Sequence, residues 1–343
     1  MKKKIFLIIL LICSLTLTEG CDLFFRNQKN NSQIKIKEDI KNNSSKENFL
    51  KYTSEFTGEL ISYEDFKKTP FMVIIENSKP SRPQHGLNYA DIVYETYAEG
   101  GIPRFIALFQ KNSCKKIGPV RSARNYFIDI ANEYNMSFAH CGGSEEALNR
   151  IKNNKEKSIN EIPNPKIFFR DKTRKPPHNL YVSSNDLVNY IKSHNFNKPL
   201  NSTLKFDSDY WKNSNLPKAT DVSLAPNNFY KTSYNLEKNK YVKTMDSTKS
   251  KDALDNSPLS ADNIVIQLTD IVLQNDGLHL NIKLVGEGKG YVISNGKYKK
   301  IKWRKESKNS PTILLDEEGK IVPLSPGKTW WHILKNSCKV FIK

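Results

Sequence analysis

The chain has 343 residues, of which 38% are hydrophobic and 10% aromatic, and this composition excludes a wholly disordered protein. Its formal charge of +18 predicts an anionic partner, although Lys and Asn abound throughout and compositional bias is an alternative cause. Five cysteines without a CxxC pair or an HExxH motif exclude a dense disulfide framework and a zinc site. We therefore expect no metal and no cofactor.

The first 21 residues predict export. Three lysines precede an unbroken apolar run from Ile5 to Leu15, and a Gly20-Cys21 pair follows. This pattern is typical of a lipoprotein signal peptide over residues 1–20, with Cys21 as the lipidated residue. Thr18 and Glu19 depart from the usual residues before the cleavage site, so ordinary secretion and a retained anchor remain alternatives.

The consequence is an extracytoplasmic protein held to the cell membrane by lipid. Removing residues 1–20 leaves 51 basic and 35 acidic side chains, a charge of +16. Export excludes nucleic acid as the partner and favours an anionic wall polymer or its precursor. Residues 21–50 are polar and rich in Asn, Lys and Ser, which predicts a disordered spacer between the anchor and the body.

Residues 51–215 predict an N-terminal mixed α/β domain, because the apolar pattern alternates between strand and helix periods. The predicted elements are strands at 71–78, 91–101 and 104–110, a helix from Arg121, a strand and turn at 137–144, and helices that begin at Ser144 and Ser184. Residues 216–343 contain short β runs and the turn pairs Asn295-Gly296 and Glu318-Gly319, which predict a smaller β-rich C-terminal domain. The predicted fold class is therefore α+β.

Two arginines at the predicted helix start suggest an anion site. Arg121 and Arg124 are one turn apart, at the end of a helix that is already partly positive. A bound anion between them would account for this placement. The alternative is that each pairs with an internal acid such as Asp91, Glu95 or Glu99.

Three further groups of residues could carry chemistry. Asp91 and Glu95 share a face of one predicted strand, and we interpret them either as an acid/base pair or as part of a buried ion-pair network. His140 precedes a turn at which a ligand could approach closely, and we predict that it lies on a pocket wall. A basic loop stiffened by two prolines follows, and such loops often bind ligands. The residues of the turn and of the loop are Gly142, Gly143, Ser144, Arg170, Arg174, His178 and Asn179.

Five runs along the body resemble the YerB-like lipoproteins of Gram-positive bacteria. They are RPQHGLNYADIVYETYAEGGIPRF (82–105), IGPVRSARNYFIDIA (117–131), AHCGGSEEAL (139–148), FRDKTRKPPHNLY (169–181) and GKTWWHIL (327–334). The resemblance implies an N-terminal mixed α/β domain, a smaller β-rich C-terminal domain and a lipid anchor. It implies no reaction, because both domains of that family are of unknown function.

The leading hypothesis is an envelope protein that binds a phosphate or carboxylate group of a wall polymer in its N-terminal domain. The proposed ligand-binding residues are Arg104, Arg121, Arg124, His140, Gly142, Gly143, Ser144, Arg170, Arg174, His178 and Asn179. Trp330 and Trp331 would form a contact surface for a glycan or an envelope protein, or would be core residues. One rival is a metal-independent hydrolase or transferase that uses Asp91 or Glu95 with His140, and another is a non-catalytic scaffold.

Overall fold

The computed structural model describes residues 51–196 and 202–343, which belong to one compact unit. The predicted signal peptide (1–20), the lipidation site Cys21 and the whole predicted spacer (21–50) lie outside the described residues. Within the two described ranges, no helix is long and apolar enough to cross a membrane.

The described residues form five α-helices, four short 3₁₀ turns and 22 strands. The helices are α1 (Tyr63–Phe66), α2 (Asn125–Glu133), α3 (Glu145–Asn154), α4 (Ser184–Ser193) and α5 (Ser208–Lys212), and the 3₁₀ turns are Lys79–Ser81, Leu87–Tyr89, Glu99–Gly101 and Pro165–Ile167. The strands are β1 (Tyr52–Thr53), β2 (Leu60–Ile61), β3 (Phe71–Ile75), β4 (Ile92–Tyr97), β5 (Pro103–Phe109), β6 (Phe138–His140), β7 (Ser158–Asn160), β8 (Phe168–Arg170), β9 (Leu180–Val182), β10 (Asp221–Ala225), β11 (Thr232–Glu237), β12 (Lys240–Met245), β13 (Thr248–Lys249), β14 (Ser260–Ala261), β15 (Asn263–Thr269), β16 (Ile271–Leu273), β17 (Leu280–Ile282), β18 (Gly286–Ser294), β19 (Lys297–Lys305), β20 (Ile313–Leu315), β21 (Thr329–Lys335) and β22 (Lys339–Ile342).

A ten-stranded mixed sheet organises the molecule. Its order is β20-β19-β18-β15-β21-β4-β5-β3-β6-β7. Strands β15, β21 and β4 are parallel to one another, as are β3, β6 and β7, and β5 runs antiparallel between the two groups. The six therefore share one direction, so their carboxyl ends lie along a common edge. Strand β3 is buried along its whole length, as expected of a central strand covered on both faces.

Strand β21 joins the two halves of the chain. It pairs in parallel with β15 on one side and with β4 on the other, although more than 230 residues separate it from β4. Its tandem tryptophans, Trp330 and Trp331, are fully buried on opposite faces of the sheet. They are core residues, so the hypothesis that they form an exposed contact surface was wrong.

Different layers cover the two faces of this sheet. On one face, Tyr94 of β4 contacts Tyr134 at the end of α2, and their hydroxyls lie 2.5 Å apart. On the other face, Glu95 of β4 bonds to Lys243 of β12, which belongs to a six-stranded sheet built from β10–β14 and β22. The mixed α/β N-terminal region and the β-rich C-terminal sheet confirm the predicted fold class.

Most predicted elements lie where the sequence placed them, with one instructive exception. Helix α2 begins at Asn125, four residues after the predicted start at Arg121. Residues 120–123 are extended because they pair with neighbouring backbone: the Arg121 N–H donates to the Ile74 carbonyl, and Ala123 bridges to Gly143. Arg121 is therefore not on a helix. The predicted domain boundary at 215/216 stays a prediction, while the large sheet takes strands from both sides of it.

Turn chemistry explains the long hairpin of β18 and β19. Asn295 and Gly296 both have positive φ, of 47° and 73°, and connect strands that pair over nine residues. Asn-Gly is the preferred pair for such a two-residue turn, as the sequence predicted.

Candidate functional site

Two of the predicted arginines share one carboxylate. Arg104 donates from Nη2 to Glu99 Oε2 at 3.3 Å, and the Nε of Arg124 donates to the other oxygen of the same group. Arg104 also donates to the Ser122 carbonyl at 3.1 Å. These guanidinium groups hold the pKa of Glu99 below its ordinary value, although burial opposes them. The internal ion pair that the sequence left open for Arg124 is therefore present, and Arg104 shares its carboxylate.

A second carboxylate gathers residues from distant parts of the chain. Glu76, which is 4% exposed, accepts from Arg121 Nη2 at 2.9 Å and lies 2.8 Å from His178 Nδ1. The Ser78 hydroxyl donates to it at 2.7 Å. Arg121 and His178 are thus brought together, as predicted, but around an acid of the protein itself.

The basic loop between β8 and β9 is tied to the body. Arg170 donates to Asn179 Oδ1 and to Glu161 Oε1, both at 3.2 Å. Arg174 donates to the backbone carbonyls of Ser81 at 2.6 Å and of Pro83 at 3.3 Å, and no carboxylate of the described residues pairs with it. The polar side chains of this loop are therefore largely used to hold the loop in its conformation against the body.

The charges in this region do not cancel completely. The carboxylates of Glu76, Glu99 and Glu161 face five guanidinium groups, so two positive charges remain in excess. The expectation that the arginines lack protein counter-charge was wrong for most of them. The five guanidinium groups are those of Arg104, Arg121, Arg124, Arg170 and Arg174.

His140 is a structural residue. Its side chain is fully buried, Nδ1 lies 2.7 Å from the Gly142 carbonyl and Nε2 lies 2.7 Å from the Ser158 hydroxyl. Burial lowers the pKa of the imidazole to about 4, so it is neutral at pH 7. The prediction that His140 lies on a pocket wall was wrong, because both ring nitrogens are occupied inside the core.

The glycine turn after His140 is also held by contacts within the protein. Gly142 has a φ of +61° and donates its N–H to Asn160 Oδ1 at 2.9 Å. Gly143 forms the bridge to Ala123. Ser144 is the N-cap of α3 and accepts from the Ala147 N–H at 3.3 Å, which confirms the predicted cap.

The two candidate acids do not form an acid/base site with His140. Glu95 pairs across the sheet with Phe105, and Phe105 pairs with Ile75, so these three side chains share one face. His140 follows the residue that pairs with Val73, so it is level with Ile74. Because side chains alternate along a strand, Glu95 and His140 point to opposite faces of the sheet. Asp91 precedes β4 and is three strands away from β6, a separation of roughly 14 Å at about 4.8 Å per strand.

A cavity of about 260 Å³ opens where two helices begin. Arg124, the N-cap of α2, and Ser144, the N-cap of α3, both line it. The opposite wall is formed by residues 279–285 and Lys308 from the C-terminal half of the chain. Helix starts offer backbone N–H donors and a partial positive charge, and both favour a bound anion.

Tyr126 adds an unused hydrogen-bond donor to this cavity. Its side chain is 4% exposed and lines the cavity, and its hydroxyl has no partner among the described residues. Burial raises the pKa of the phenol above its ordinary value of 10, so the hydroxyl keeps its proton. A buried donor without a protein partner is uncommon in native proteins, and a bound ligand or an ordered water would satisfy it.

The charged side chains of the lining leave a small positive excess. Arg124, Lys283 and Lys308 contribute cations, and Asp129 and Glu146 contribute acids. Asp129 pairs with Arg150 at 2.7 Å and Arg124 pairs with Glu99, and both of these partners lie outside the lining. Sequence reasoning found Arg124 and Ser144 but missed Tyr126, Lys283 and Lys308, because no local pattern brings residues 283 and 308 to the start of α2.

Comparison with known proteins agrees with this architecture. The family model described as "Protein of unknown function (DUF3048) N-terminal domain" matches residues 56–197, and the C-terminal domain model of the same family matches residues 220–331. The chain belongs to the DUF3048 family. A DUF3048 relative from Bacillus subtilis (strain 168), named "Putative lipoprotein YerB", is 30% identical over 290 residues, which cover 83% of this chain and 86% of the relative.

A solved structure supports the same assignment. The crystal structure of the YerB protein from Bacillus subtilis matches with a TM-score of 0.76 and 27% sequence identity, over 84% of this chain and 99% of that chain. The predicted family is therefore confirmed. The DUF3048 models themselves carry no assigned function.

Proposed function

We propose that this DUF3048 protein is an extracytoplasmic, lipid-anchored envelope protein that binds a phosphate or carboxylate group of a cell-wall polymer or its precursor. The lipoprotein signal pattern ending at Cys21 and the name of the Bacillus subtilis relative, "Putative lipoprotein YerB", support the anchor. The charge of +16 after residue 20 supports an anionic partner.

The unpartnered Tyr126 hydroxyl is the observation that carries the proposal. Tyr126 lines a cavity together with Arg124 and the starts of α2 and α3, where an anion would gain a charged partner and backbone donors at once. An oxyanion accepting from this hydroxyl would satisfy the buried donor. A hydrogen bond to a charged group is worth about 1.5–3 kcal/mol.

The test is a binding titration of the full chain in mild detergent with inorganic phosphate, glycerol 3-phosphate and glucuronate. We expect Tyr126→Phe to lower the affinity for whichever of these anions binds by about tenfold or more, since 1.4 kcal/mol is a factor of ten. Tyr63→Phe is the matched control, because Tyr63 is 54% exposed and remote in sequence from the cavity. Unchanged affinity in Tyr126→Phe would refute the site.

The ion pairs on Glu76 and Glu99 favour a second candidate, the non-catalytic scaffold. In that case the arginines stabilise the fold, and the exposed surface alone meets a partner. No binding of any of the three anions by the wild-type chain would favour the scaffold over the anion site.

A further inference from the structure

A second cavity, of about 600 Å³, lies at the amino ends of the parallel strands. Asp91 immediately precedes β4, Asp262 immediately precedes β15 and Lys328 immediately precedes β21, and all three line it. Helix α3 follows the carboxyl end of β6, and Ala123 just before α2 bridges to Gly143 just after β6, so the two cavities lie at opposite edges of the sheet. Its size is within the range of small-molecule binding sites.

Asp91 has an unmet requirement for a hydrogen-bond donor. Its side chain is 1% exposed, and Oδ2 accepts from the backbone N–H of Gln110 at 2.6 Å and of Lys111 at 3.0 Å. The other oxygen, Oδ1, has no partner among the described residues. Burial is the main reason that the pKa of this carboxyl is raised to about 6. A buried carboxylate oxygen without a donor is costly, and a ligand donor would remove that cost.

The other charges around the cavity are balanced. Four lysines and four carboxylates line it, and many are already paired within the protein. Lys111 lies 2.5 Å from Glu59, and Lys240 lies 2.7 Å from Asp262. The four lysines are Lys111, Lys238, Lys240 and Lys328, and the four acids are Glu59, Asp91, Glu237 and Asp262. Such a lining favours a neutral polar ligand over an anion or a cation.

Lys328 lines the same cavity as Asp91 and supplies hydrogen-bond donors. Its ammonium group donates to the Leu87 carbonyl, and burial lowers its pKa to about 8. An ammonium group has three N–H donors, so others remain for a ligand. Ala90, Val242 and Pro258 add apolar wall to the same cavity.

We propose that this cavity binds a neutral carbohydrate. A sugar hydroxyl donates to Asp91 Oδ1, the Lys328 ammonium donates to a sugar oxygen, and the C–H faces of the ring contact the apolar wall. This site goes beyond the proposed anion site: it uses other residues, another edge of the sheet and a ligand without charge.

The experiment titrates the full chain in mild detergent with two uncharged probes, the tetramer of N-acetylglucosamine and maltotetraose. Binding of at least one probe, weakened tenfold or more by Asp91→Asn, supports the proposal. Asparagine still accepts from the two backbone N–H groups, but it can present a donor where the ligand needs an acceptor. Glu64→Gln is the matched control, because this exposed carboxylate pairs with Lys67 at 2.6 Å and does not line the cavity.

Two outcomes overturn the proposal: neither probe binds the wild-type chain, or a probe binds equally well to Asp91→Asn. If Asp91→Asn fails to fold, two other measurements decide the question: binding of the probe to Lys328→Gln, and the changes that the probe causes in the amide chemical shifts of the wild-type chain. Weaker binding to Lys328→Gln together with shift changes confined to the region of Asn88 and Ser260 supports the site. Shift changes elsewhere overturn it. Tyr126→Phe should bind the oligosaccharide normally, so failure of the anion site is distinguishable.

Discussion

The sharpest prediction concerns the buried ion pair of Glu95 and Lys243. The Lys243 ammonium is 0% exposed, lies 2.8 Å from Glu95 Oε2 and donates to the Tyr234 hydroxyl at 2.9 Å. The same carboxylate oxygen accepts from Trp330 Nε1 at 2.9 Å. Glu95→Gln keeps the shape of the side chain but leaves the ammonium without a counter-charge.

The loss of stability in Glu95→Gln depends on Lys243, which must either stay charged without a counter-charge or lose its proton. Burial already lowers the pKa of Lys243 from 10.5 to about 8, against the attraction of Glu95. Without Glu95 the lysine becomes neutral at pH 7, and neutralising a group of pKa 10.5 costs about 5 kcal/mol at about 1.4 kcal/mol per pH unit. Breaking buried pairs typically costs about 3–5 kcal/mol. For a body of roughly 290 residues this lowers the Tm by about 5–8 °C.

Calorimetric melts of wild type and Glu95→Gln at pH 7 and pH 9 test this. The unfolded lysine holds its proton up to 10.5 and the folded variant does not, so the penalty should shrink as pH rises. Lys243→Met in the Glu95→Gln background should recover part of the loss. The control is Glu237→Gln, which breaks an exposed pair and should cost less than about 1 kcal/mol. Equal stability of Glu95→Gln and wild type at pH 7 would refute the reasoning.

Three further outcomes are expected. Tyr126→Phe should leave the Tm of the unliganded chain unchanged or slightly higher in a thermal melt, because the hydroxyl that it removes has no partner among the described residues. Asp91→Asn should remove one pH effect. Because the folded pKa of about 6 exceeds 3.8, the wild type should lose about 2 kcal/mol more stability than the variant as the pH rises from 4 to 6, and equal losses in urea titrations would contradict this. Ser144→Ala should cost about 1 kcal/mol in the same assay through the lost cap of α3, and no loss would argue against the cap.

Local patterns in the sequence were sufficient for much of the fold. The apolar run 71–75, the Ser144 cap and the Asn295-Gly296 turn each specify their own conformation through nearby residues. The start of α2 was misplaced because the extended pairing of residues 120–123 depends on Ile74 and Gly143, which no window around Arg121 contains. Tertiary pairing overrode helix periodicity there.

The candidate site was less accessible to sequence reasoning. Arg124 and Ser144 were found because each marks a helix start, but their common cavity needs residues 279–285 as its second wall. Glu99 as the partner of Arg124 was among the options, whereas Glu76 as the partner of Arg121 was not. A charge count cannot state which acid meets which base when the pairing partners are 45 residues apart, as Glu76 and Arg121 are.

The position of β21 has a consequence for biogenesis. Because residues 329–335 lie between β15 and β4, the large sheet stays incomplete at its centre until almost the whole polypeptide has emerged. Contacts between such distant segments form late and slowly. For the exported protein proposed above, the sheet would therefore be completed only after the segment that contains β21 has crossed the membrane.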